Sequence, residues 1–135
     1  MDYELILRSA KYPADIRNVT EETIPGKPLA DDIAAALRDL GYRDATVVNA
    51  APLWLVEVGA RKDKREIVVH TEELHDVPYK ALWNATVHSR RGLWATLIGQ
   101  AEDAETLKLA RALDKAVRMI DGLELVRREG DWGRW

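Results

Sequence analysis

The chain has 135 residues, 20 basic and 23 acidic side chains, a formal net charge of −3 and no cysteine. That length suits one domain able to bury roughly two-thirds of its unfolded surface, and 47% hydrophobic with 32% charged residues excludes a disordered chain. The acidic balance, with a pI near 5.6, argues against an electrostatic grip on nucleic acid or anionic lipid, and the missing cysteines remove disulfides and thiolate metal sites and fit a reducing cytoplasm.

The N-terminal stretch MDYELILRS has neither the basic nor the apolar region of a signal peptide, and Tyr3–Arg8 within it alternates as a strand does. Residues 9–27, rich in Pro, Thr, Glu and Asp, are expected to run as a long loop over one edge. Pro28 suits the first turn of a helix over 28–40, because its missing N–H would have no intrahelical partner there. Leu29, Ile33, Ala36, Leu37 and Leu40 form one apolar stripe, and Gly41 supplies a left-handed stop. Ala45–Asn49, Leu53–Val58, Glu66–Thr71 and Leu82–His88 follow as short strands, with Asn49–Pro52 and Gly59–Lys64 as hairpin connections.

Leu93, Trp94, Leu97 and Ile98 in RRGLWATLIG fit a short helical turn. A second helix is expected near 103–120, with Asp103 as N-cap and Glu105 complementing the positive end of the dipole. Its stripe is Leu107, Ala110, Leu113, Val117 and Ile120, while Arg111, Lys115 and Arg118 sit on other faces and Gly122 ends it. Leu123–Arg127 closes the series as a sixth strand. No internal repeat, linker or apolar run of about 20 residues interrupts the pattern, so residues 1–135 are expected to form a single α+β domain without a membrane span.

Each helix has one apolar side, so both should cover the same flat element. The order β-α-β-β-β-β-α-β therefore predicts a two-layer α+β sandwich: a mostly antiparallel sheet of five to six strands with the two main helices on one face. Alternation assigns Leu5, Leu7, Trp54, Val56, Val58, Ile67, Val69, Trp83, Ala85, Val87, Leu123 and Leu125 to the helix side. The other side should carry Glu4, Ile6, Leu53, Leu55, Glu57, Glu66, Val68, His70, Leu82, Asn84, Thr86, His88, Glu124 and Val126. Such a mixture resembles a partner-binding surface with an apolar centre and a polar rim. Alternatively, the N-terminal loop and the tail Asp131–Trp135 fold back and cover it.

Signs of chemistry are sparse. There is no glycine-rich phosphate loop, no nucleophile elbow and no ligand pair at zincin or EF-hand spacing. His70, Glu72, Glu73, His75 and Asp76 form the densest ligand group, but side chains diverge at a strand end and Pro78 redirects the chain, so a solvated loop is the simpler account. His88 shares the predicted face of His70; if the two approached with Glu57 or Glu66 near, an acid–base pair would follow. No residue is assigned a catalytic role, and no tightly held metal or organic cofactor is expected. Of the five tryptophans, Trp54 and Trp83 belong to the core, Trp94 caps it, and Trp132 with Trp135 dock the tail. Arg90 and Arg91 read as a solvated turn.

The segments PLADDIAAALRDLGY, WLVEV, WNATV and RRGLWATLIG, closed by an amphipathic helix, make the chain resemble small α+β bacterial proteins of unassigned function. Some of these are cytoplasmic immunity proteins that neutralise toxins. The likeness covers most of residues 28–127 and rests on layout and a few aromatic positions, so it transfers no site residues. It implies a non-catalytic, cytoplasmic binding protein that occludes a partner protein. The mixed sheet face read from the strand alternation supplies the surface, with Leu55, Val68 and Leu82 at its centre and Glu57, Glu66, His70 and His88 towards its rim. The alternatives are a small histidine- or metal-dependent enzyme and a structural homo-oligomer that buries the face against its own copy.

Overall fold

The structure, a computed structural model, describes residues 3–9, 26–50, 53–59, 64–71, 82–89 and 104–130. Among the described residues, six strands and two helices follow in the order β1 (Tyr3–Arg8), α1 (Lys27–Asp39), β2 (Thr46–Ala50), β3 (Leu53–Val58), β4 (Arg65–Thr71), β5 (Leu82–Ser89), α2 (Ala104–Met119) and β6 (Glu124–Glu129). All the pairings are antiparallel, in the spatial order β2-β3-β4-β5-β1-β6. The α+β architecture matches the expectation, with element ends differing by one or two residues. The expected N-cap Asp103, the turn at residues 93–98 and the segments 72–80 and 131–135 lie outside the described residues.

The two helices pack against each other, α1 on β2 and β3 and α2 on β5, β6 and β1. They therefore share one face of the sheet. Between the layers lie Leu29, Ile33 and Leu37 of α1, Leu109, Leu113 and Val117 of α2, and Tyr3, Leu5, Leu7, Trp54, Val56, Ile67, Val69, Trp83, Ala85 and Val87 of the sheet. Complete burial of each of the larger aliphatic side chains contributes about 1.5–3 kcal/mol. Leu123 and Leu125 are only partly buried against this core, because β6 is an edge strand. Among the described residues, no helix is long and apolar enough to cross a membrane.

Helix α1 begins at Lys27, one residue before the expected start. Pro28 does sit in the first turn, but the cap is Gly26, whose φ is 119° and which offers no side-chain hydrogen bond. Gly26 is buried, and a Cβ there would stand 3.3 Å from Trp54 Cδ1 and 3.4 Å from Trp83 Cζ3. Glycine serves this position twice, through its backbone freedom and through its lack of a side chain. At the other end Gly41 takes a φ of 106°, the left-handed stop foreseen from its place after the apolar stripe.

Polar contacts fasten the ends of these elements. The Arg38 Nε donates to the Ala45 carbonyl at 2.9 Å, and the Gly59 N–H donates to Asp44 Oδ2 at 2.9 Å. Ser9, at the end of β1, donates to the Gly122 carbonyl at 2.7 Å. Arg65 Nε donates to Thr106 Oγ1 at 3.1 Å, tying β4 to the first turn of α2.

One irregularity decides where the last strand points. Ile6 pairs with Arg127 but Leu7 pairs with Leu125, so Val126 is the extra residue of a β-bulge. Past the bulge the alternation changes phase. Arg128 lies opposite the core residue Leu5, on the helix side, where its Nε reaches Asp114 Oδ2 of α2 at 2.5 Å.

Candidate functional site

The face away from the helices is best described by the rows that the strand register sets across it. One row runs Thr46, Glu57, Glu66 and His88 over β2, β3, β4 and β5. The next runs Val48, Leu55, Val68, Thr86, Glu4 and Glu129. A third joins His70, Asn84, Ile6 and Arg127, and beyond it Leu82, Arg8 and Glu124 are paired in turn. Register thus brings Leu55 against Val68, Glu57 against Glu66, and Glu66 against His88.

Burial divides this face in two. Across β2, β3 and β4, Val48, Leu53, Leu55, Glu57, Glu66, Val68 and His70 are all half-buried. Across β5 and β1, Ile6, Asn84 and Thr86 are 2%, 3% and 8% exposed. The face is thus a half-exposed apolar patch over β2, β3 and β4 beside buried side chains on β5 and β1. The expectation that the N-terminal loop or the tail covers the face concerns segments outside the described residues, 10–25 and 131–135.

Val48 was absent from the expected surface. Thr46-Val47-Val48 places a valine on each side of the strand, so alternation alone does not assign it. Tertiary packing does: Val47 packs against the core, while Val48 pairs with Leu55.

Electrostatics along the first row are closely balanced. Like charges directly opposite on neighbouring strands oppose pairing by a few tenths of a kcal/mol, up to about 1, and Glu57 faces Glu66 in this way. Lys64 forms an ion pair with Glu57, and His88 stands across from Glu66 on the other flank.

The two histidines do not share a site. His88 lies opposite Glu66 and His70 opposite Asn84, so they sit two rows apart; the four-residue step from Glu66 to His70 along β4 spans about 13 Å. His70 Nε2 instead lies 3.5 Å from Asn84 Nδ2, at the long limit of a hydrogen bond. Glu72, Glu73, His75 and Asp76 lie outside the described residues, as do Arg90, Arg91, Trp94, Trp132 and Trp135. Among the described residues, no three His, Asp or Glu side chains gather as a metal site.

Comparison with protein-family models, with curated proteins and with solved structures returns no match.

Proposed function

We propose that the chain is a cytoplasmic, non-catalytic binding protein that docks a partner protein on the outer surface of β2, β3 and β4. The observation carrying this reading is the apolar row Val48, Leu55 and Val68, half-exposed and bordered by the carboxylates Glu57 and Glu66. An apolar centre with a charged rim is the anatomy of a specific interface. The rim carries Glu57 with its ion-pair partner Lys64, and Glu66 opposite His88; charge complementarity to a partner there raises the rate of encounter more than the affinity. Together with the resemblance to immunity proteins of bacteria, this supports occlusion of a toxin as the mode of action.

The test pairs folding with binding. Partner capture from extract of the source cells is compared for the wild type, Leu55→Asp and Val68→Asp, each checked by melting temperature, and the captured protein is then titrated in purified form. Folded variants that lose the partner support the proposal, with a central anchor expected to contribute more than ~1 kcal/mol. Full binding by both variants overturns it. A change from dimer to monomer in sedimentation, with no protein captured, replaces it with self-association.

A further inference from the structure

We draw no further inference here: the strongest candidate, the side-chain cluster of His70 and Asn84 on the outer face of β4 and β5, where His70 Nδ1 and Asn84 Oδ1 are buried without a hydrogen-bond partner among the described residues, carries nothing because none of the described residues shows what covers it.

Discussion

Asp114 on α2 and Arg128 on β6 meet at 2.5 Å, although Asp114 is 1% exposed. The contact joins a helix to an edge strand, and it exists because the bulge at Val126 turns Arg128 inward. Arg118, one helical turn beyond Asp114, takes its other oxygen at 2.8 Å.

Asp114→Asn should destabilise the fold by about 1–3 kcal/mol. Removing one partner of a fully buried ion pair costs about 3–5 kcal/mol, but both arginines here reach solvent and can rehydrate. Arg118→Ala should cost no more than about 1 kcal/mol, as for exposed pairs generally. Urea denaturation of the two variants measures the difference, and equal losses would contradict this account of the contact.

Gly26→Ala should destabilise more than Gly41→Ala. Both glycines have positive φ, for which a residue with a side chain loses about 1–2 kcal/mol. At Gly41 nothing lies within 4 Å of an added Cβ, whereas at Gly26 it meets Trp54 and Trp83. The excess measured by thermal melting reports the packing of the α1 cap on the tryptophans, and equal losses would show that the backbone strain alone matters.

Trp54→Ala and Trp83→Ala should each cost about 3–5 kcal/mol through the cavity left behind. Trp83→Phe should cost clearly less than Trp83→Ala. It keeps most of the ring and removes Nε1, a buried N–H with no hydrogen-bond partner among the described residues. Equilibrium unfolding of the three variants ranks them.

Ile6→Ala should behave as a core mutation despite facing away from the helices, costing about 2–5 kcal/mol. Leu55→Ala, half-buried on the same face, should cost less. Chemical denaturation resolves the pair; the reverse order would show that the exposed patch has been placed on the wrong strands.

Alkaline pH should weaken the fold through Tyr42. Burial raises its phenol above the usual value, the Glu105 carboxylate raises it further, and Arg65 pulls the other way. A raised folded-state pKa means that its contribution is fully present below the unfolded value of about 10 and is lost as the pH rises through the higher folded value. Tyr42→Phe should therefore flatten the decline of stability above about pH 10, and a parallel decline in both proteins would assign the effect to other groups.

The helices and the two faces of the sheet were legible in the chain because they depend on local periodicity. Leu29, Ile33 and Leu37 repeat at helical spacing and Trp54, Val56 and Val58 at a spacing of two, and both periods are properties of the backbone itself. The faces of Leu55, Glu57, Glu66, Val68 and His88 followed from the same alternation, whereas which of them are neighbours is set by the register. What distance along the chain does not encode was decided by packing in three dimensions. Ile6 and Val68 were assigned to the same outer face, yet one is buried and the other half-exposed, since burial depends on what lies above a residue. Arg128 lies on the helix side because one extra residue in β6 shifts every later side chain by half a period, and Gly26 suits the cap of α1 because its φ is positive and two tryptophans from separate strands stand only 3.3 and 3.4 Å from where a Cβ would lie. The sharing of Asp114 between Arg118 and Arg128 has the same origin, for a buried carboxylate must find its cations wherever the finished fold brings them.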